Sequence, residues 1–349
     1  MSHPANRPSR LGFFTRVLDR TEPAERYRLA AEQIAHAERL GFDSAWVAQH
    51  HFHEGEGGLP SPFVFLAHVA ARTPRIRLGT GIVTLPLEAP IRVAEDAAVL
   101  DHLCGGRLEL GVGSGGNPSA FAAFGLDGAE RTTILDRHLA TLRAGLTGRP
   151  LPGGDAVYPA RPGLDRRIWQ ATFSVGGGVR AGRAGDGLLL SRTQPRPSDA
   201  PDAALADLQD PIVDAYLAAL PPDAGPRILA SRSVFVADDA GEARRLAEIG
   251  LRRGAERLVA SGHAPPGDDL DGLIRAFDVH LGTPDQVIAS LRADRTLARA
   301  TDLAVQVHSV DPPHRHILRS IELVAAHVAP ALGWPGPETA RAVAKFALA

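Results

Sequence analysis

The sequence predicts an α/β fold, a TIM-type (β/α)8 barrel with insertions in its βα loops, and three observations carry the prediction. Short apolar runs alternate with amphipathic helical stretches along almost the whole chain, the rhythm of parallel strands joined by helices. Eight such units follow one another in order, which favours a closed barrel over an open doubly wound sheet. The length, 349 residues, suits one barrel of this kind with insertions.

Taken in order, residues 11–15 form the first strand, and residues 23–40 a helix with Tyr27, Ile34 and Ala37 on one face, closed by Gly41. Strand 44–48 and helix 62–72 follow, then strand 76–85 and a helix over 91–103. Strand 108–112 leads to helix 131–146, and the Gly- and Pro-rich stretch 148–166 reads as a loop or insertion. Strand 167–171, a short helix over 178–184, strand 187–190 and helix 205–220 continue the pattern. Strands 228–236 and 303–307 complete it, and the last helix repeats at Ile317, Ile321, Val324 and Val328. The extra length lies at 242–299, with helices over 243–259 and after Gly282-Thr283-Pro284; between them, residues 262–267 (GHAPPG) read as a mobile loop. Residues 1–349 are accordingly expected to form a single domain.

The most informative stretch is 78–116, strand–helix–strand with glycines at both strand ends: Gly79, Gly81, then Gly113, Gly115 and Gly116. Parallel strands deliver their C-terminal ends to one side, where barrels bind ligands. Backbone without side chains at two adjacent ends lets a sizeable cofactor approach closely.

Composition narrows the partners. Hydrophobic residues make up 44% and charged residues 22% of the chain, as in ordinary globular proteins. The formal charge of −2 gives no sign of a nucleic acid or membrane surface as partner. Cys104 is the only cysteine, which rules out an intramolecular disulfide; it is read as a passive small residue in a turn. With no signal peptide or spanning stretch in view, the expected location is cytoplasmic.

Trp46-Val47-Ala48-Gln49-His50-His51-Phe52, Gly79-Thr80-Gly81-Ile82, Leu85-Pro86, Gly105-Gly106-Arg107-Leu108 and Gly111-Val112-Gly113 come in a telling order. With Arg131, Trp169-Gln170-Ala171-Thr172-Phe173-Ser174 and Gly185-Asp186-Gly187 behind them, the chain resembles the bacterial luciferase-like flavin monooxygenases. The resemblance implies a barrel that binds reduced FMN, or in one branch a deazaflavin, with O2 as co-substrate of the monooxygenases. It also implies a homodimer.

The same resemblance assigns sites. Gly81-Ile82 falls at the family's non-proline cis peptide beside the flavin, with Gly113 and Ser114 at the adjacent strand end, where the luciferases carry an arginine in place of Ser114. The phosphate is expected on Ser174, Gly176, Gly177 and Gly178, at a helix start whose N–H groups receive an anion, together with Arg131. The alternatives are a flexible connector for residues 174–178 and a solvated helix residue for Arg131. His50 matches the family's active-site histidine and is the expected proton-transfer residue. Its neighbour Gln49, often Glu in the family, would tune it less strongly. Arg192 and Gln194 after the sixth strand, His280 at the pocket rim, and Gln306 and His308 at the eighth strand are further pocket residues. The His50, His51, His53, Glu54, Glu56 group has no metal-ligand spacing, so no metal is expected.

The expected activity is oxygenation of a small organic substrate by reduced FMN and O2. No G-x-G-x-x-G follows a strand in the right context, in keeping with a separate NAD(P)H:flavin reductase. A deazaflavin-dependent dehydrogenase and a non-catalytic FMN-binding protein are the alternatives.

Overall fold

The computed structural model describes residues 10–260, 267 and 269–334. The barrel strands are β1 (Arg10–Thr15), β2 (Ser44–Val47), β3 (Arg77–Thr80) with its continuation β4 (Val83–Thr84), β5 (Leu108–Gly113), β6 (Ile168–Ala171), β7 (Gly187–Leu190), β8 (Ile228–Val236) and, after a ninth strand β9 (Val279–Gly282), β10 (Asp302–Gln306). All pairings are parallel. β10 lies between β8 and β1 and closes an eight-stranded barrel: Asp302 pairs with Leu229 on one side and with Arg10 on the other.

Helices between the strands cover the wall: α1 (Pro23–Arg39), α2 (Pro62–Ala70), α3 (Pro90–Leu103), α4 (Pro118–Ala123), α5 (Arg131–Leu146), α6 (Val175–Arg183), α7 (Leu205–Ala219), α8 (Ala240–Ala260), α9 (Leu270–Ala276), α10 (Pro284–Ala293) and α11 (His314–Leu323). Several start on a proline, whose fixed φ and missing N–H suit the first helical position. No helix among the described residues is long and apolar enough to cross a membrane.

The wall alternates. Leu11, Phe13, Ala45, Val47, Leu110 and Val112 face the helices in one continuous core, while Trp46, Trp169, Leu189, Leu229 and Ala304 fill the barrel axis. The two tryptophans meet edge to face, with centroids 5.7 Å apart. They fit only because the next strand gives way: a Cβ on Gly79 would stand 2.2 Å from the Trp46 ring, and one on Gly187 2.1 Å from Trp169.

Three elements differ from the sequence reading. The predicted strand 76–85 is interrupted: β3 pairs Gly79 with Glu109, but β4 pairs Val83 with Val112, so one extra residue bulges between them. The Thr80 hydroxyl fills the gap, bonding the Gly111 carbonyl at 2.8 Å and the Gly111 N–H at 2.9 Å. The predicted helix 178–184 begins earlier, at Val175, because Ser174 caps it. The region 242–299 is more than inserted helices. β8 forks, its first half pairing with β10 and its second half, Ser233 to Val236, with β9. Residues 262–266 of the predicted loop lie outside the described residues.

Candidate active site

Every barrel strand ends at the same mouth, and β1 supplies the residue that organises it. Arg16, directly after β1, donates from Nη2 to His50 Nε2 at 2.8 Å and from Nη1 to His308 Nε2 at 2.7 Å. It also donates to the Glu56 carbonyl. His308 in turn bonds Asp311 from Nδ1 at 2.8 Å, and Arg192 reaches Ser309 Oγ at 3.2 Å. The ends of β1, β2, β7 and β10 thus converge on one polar array.

The array fixes its own protonation. A guanidinium only donates, so Nε2 of both histidines carries a lone pair and each neutral ring keeps its proton on Nδ1. On His308 that proton serves Asp311. On His50 it has no partner among the described residues, although the atom is buried.

Electrostatics agree with the geometry. Burial, then Arg16 and His308, hold His50 well below the ordinary histidine value. Burial takes His308 down to about 3 despite Asp311. Burial lowers Arg16 to about 10, and burial with Arg16 nearby lowers Arg192 to about 9. Burial raises the Asp311 carboxyl, but His308, Arg16 and Arg192 outweigh it and leave it below the ordinary carboxylate value.

Further buried atoms lack partners at this mouth: Gln194 Oε1, Ser233 Oγ and Gln306 Oε1. Orphaned buried polar atoms cost stability, and a polar ligand is their natural partner. Across the barrel lies the glycine cradle. The Gly81-Ile82 peptide is cis; a Cβ on Gly81 would meet the Phe14 ring at 2.5 Å, and one on Gly113 would meet Ile82 at 2.6 Å. Ser114 stays close to its own backbone, its hydroxyl 3.4 Å from the Gly115 carbonyl.

The residues expected to bind the phosphate lie at the starts of α6 and α5. Ser174 Oγ accepts from the Gly177 N–H at 3.2 Å. The amides of Val175 and Gly176 precede the first intrahelical acceptor and so have none within α6. A Cβ on Gly176 would touch nothing within 4 Å, whereas one on Gly178 would press on the Ile212 carbonyl at 2.6 Å. Arg131 stands exposed at the start of α5, bonded to the Gly128 carbonyl at 3.0 Å and with no carboxylate partner among the described residues. An open helix start with a spare guanidinium fits a phosphate group.

Two pocket assignments from the sequence are corrected. Gln49 does not engage the His50 ring; it clamps the strand end, donating to Glu88 Oε1 at 2.7 Å and accepting from the Thr84 N–H at 2.7 Å. His280 is not at the rim beside this array: its Nδ1 bonds Ser290 Oγ of α10 at 2.7 Å, with Asp294 4.0 Å from Nε2. That group includes Arg232, whose register on β8 points it at the helices. His51 and His53 take partners of their own, the Phe124 ring and Ser119 Oγ. Sequence reasoning missed Arg16 and Asp311. Both left a signal: Arg16 is the first residue past a strand on the ligand side, and Asp311 stands three residues after His308.

The chain is similar to known proteins over most of its length. The sequence profile described as luciferase-like monooxygenase matches residues 10–301. A curated relative, 4-hydroxyprotoasukamycin monooxygenase from Streptomyces nodosus subsp. asukaensis, is 37% identical over 184 residues, 49% of each chain. The matched part thus spans about half the length of that relative. Among solved structures, monooxygenase RslO1 from Streptomyces bottropensis superposes with a TM-score of 0.76 at 28% identity, covering 92% of this chain and 99% of that one. The oxygenating constituent of 3,6-diketocamphane monooxygenase from Pseudomonas putida, in complex with FMN, shares the fold with a TM-score of 0.71 at 20% identity, covering 95% and 99%. The chain belongs to the luciferase-like monooxygenase family.

Proposed function

We propose that this protein is an FMN-dependent monooxygenase that oxygenates a small organic substrate at the barrel mouth, served by a separate NAD(P)H:flavin reductase and working as a homodimer. The observation that carries this reading is the array of Arg16, His50, His308 and Asp311, set at the same strand ends as the Gly81-Ile82 and Gly113 cradle. Bound reduced flavin supplies the electrons that activate O2.

The chain's own residues do the rest. Ser174, the first-turn amides of α6 and Arg131 would hold the phosphate, and the glycine-lined strand ends beside Ile82 the ring. His50 would be the proton-transfer residue: Arg16 occupies Nε2, so its exchangeable proton is the one on Nδ1, which packs against Gly57. Asp311 fixes the tautomer of His308. Together the two histidines keep Arg16 oriented while leaving its charge uncompensated by direct ion pairing, which favours an anionic transition state.

The test is flavin titration followed by turnover. Saturable quenching of FMN fluorescence, and product formed from reduced FMN in air that His50→Ala lowers, is the expected result. Binding of the deazaflavin in place of FMN would establish the dehydrogenase instead. Tight FMN with no turnover would establish a flavin carrier.

A further inference from the structure

A cavity of about 510 Å³ opens beside the array, on the side of β1 and β10 away from Gly113 and Ser174. Its inner end is Arg16, His308 and Asp311, and Phe14 forms the partition toward Gly81. Its walls are two-natured. Phe14, Leu18, Leu29, Leu246, Ile249 and Ile317 are apolar, and Ile249 is 51% exposed. The outer rim is cationic: Arg20 from the loop after β1, Arg245 and Arg253 from α8, and Arg315 from α11.

Arginines outnumber the acids here. Two carboxylates line the cavity, Asp19 and Asp311. Asp311 bonds His308, and Asp19 accepts from Gln33 Nε2 at 2.9 Å. Among the described residues Arg245 pairs with Glu242 alone, at 3.9 Å. Among the described residues Arg20, Arg253 and Arg315 form no ion pair; Arg253 donates to the backbone carbonyls of Ile249 and Asp311. Burial and the nearby Arg20 lower its guanidinium, and Asp311 and Glu256 offset them only in part. Arginines that outnumber the acids around an apolar cleft give it a positive potential that attracts an anion.

We propose that this cavity is the substrate site and takes an amphiphilic organic anion: an apolar body against Phe14, Leu18 and Ile249, and a carboxylate or phosphate on Arg20, Arg253 and Arg315. Seated so, the apolar part lies toward His308 and the Phe14 partition, next to the flavin cradle. The assignment of the occupant as substrate rests on the monooxygenase reading; the anion site itself does not. Arg20 and Arg315 are exposed surface residues, so their removal leaves the core intact.

The experiment is calorimetric titration of the full chain with octanoate, octyl phosphate and 1-octanol, at about 20 and about 200 mM salt. FMN binding is followed separately by fluorescence. Saturable binding of octanoate or octyl phosphate, at least about tenfold tighter than octanol, is expected. Whichever anion binds tighter identifies the headgroup. Arg20→Ala/Arg315→Ala should weaken that anion about tenfold or more and flatten its salt dependence, with FMN binding and the melting temperature unchanged. Octanol binding as well as the anions, neither anion binding, or anion affinity unchanged in the double variant would each overturn the proposal. Loss of FMN binding with anion binding intact would overturn the monooxygenase reading and leave the anion site standing.

Discussion

The two ends of the barrel are built on opposite principles. At the N-terminal end every buried charge has a partner. Glu109 accepts from Arg77 Nε at 2.5 Å and Trp169 Nε1 at 2.8 Å, and Asp302 pairs with Arg10 at 3.1 Å. Asp101 accepts from Arg161 and Arg167, both at 2.6 Å, and from the Leu108 N–H at 3.0 Å. At the C-terminal end Arg16 and Arg192 repel each other, and oxygens on Gln194, Ser233 and Gln306 go unbonded. The first end closes the fold; the second keeps bonding capacity for something else. Stability and chemistry should therefore separate by mutation.

The largest stability effect belongs to the closed end. Asp101→Ala leaves two guanidinium groups facing a void, which should cost about 3–5 kcal/mol and lower the melting temperature accordingly. Burial opposes the charged form of Asp101, but Arg167 and Arg161 outweigh it and hold its carboxyl below the ordinary value. Its contribution is therefore present above the unfolded value and lost as pH falls through the folded one. A melt unchanged from wild type would break the comparison.

At the open end the sign reverses. His50→Ala and Arg16→Met should each lower product formation by about 10²-fold or more, while the melting temperature holds or rises. Removing Arg16 deletes a desolvated cation that repels Arg192, so stability is gained where activity is lost. Steady-state kinetics and thermal melts of the same samples check both halves. A large drop in stability with either substitution would mean that the array is structural.

These expectations show what the sequence could convey. The eight-strand barrel and the placing of Arg192 and His308 on the ligand side follow from apolar periodicity and from which side of a parallel strand a residue leaves, whereas His50 and Ser174 were legible through the family resemblance. Arg16 did not stand out because its one signal, a place just past a strand on the ligand side, is weak in a chain rich in arginine; closure of β10 onto β1 is what brings it between two histidines. Gln49 and His280 show the converse error. Both are adjacent in sequence to site elements, but strand alternation and the β8–β9 fork turn their side chains onto Glu88 and Ser290. β9 itself escaped notice because four residues with half-polar burial, Val279–Gly282, look like a loop beside long helices.

A smaller effect sharpens the same contrast through pH. His308 keeps a folded value of about 3, below the free value of about 6.5. Between these values the unfolded chain binds the extra proton, so stability falls as the medium is acidified. The slope reaches at most about 1.4 kcal/mol per pH unit. His308→Gln should flatten that acid limb in denaturant titrations from pH 7 to about pH 4, whereas a substitution at the closed end should not remove it.

The smallest effect tests the α6 side of the mouth, where the phosphate is proposed to bind, with two adjacent glycines. A Cβ at Gly177 would stand 2.0 Å from Thr172 Oγ1, but one at Gly176 has open space. Neither glycine has a positive φ, so backbone strain does not enter. Gly177→Ala should therefore destabilise by about 1–3 kcal/mol through overpacking. Gly176→Ala should be neutral or stabilising by up to about 1 kcal/mol, since alanine is the better helix former. Yet the added methyl stands over the first-turn amides of α6, beside Ser174, where a phosphate would seat. A Gly176→Ala protein that melts no lower than wild type but binds FMN several-fold more weakly would separate site from scaffold at a single carbon atom. Unchanged FMN affinity in that variant would move the phosphate away from α6 and leave Ser174 with its capping role alone.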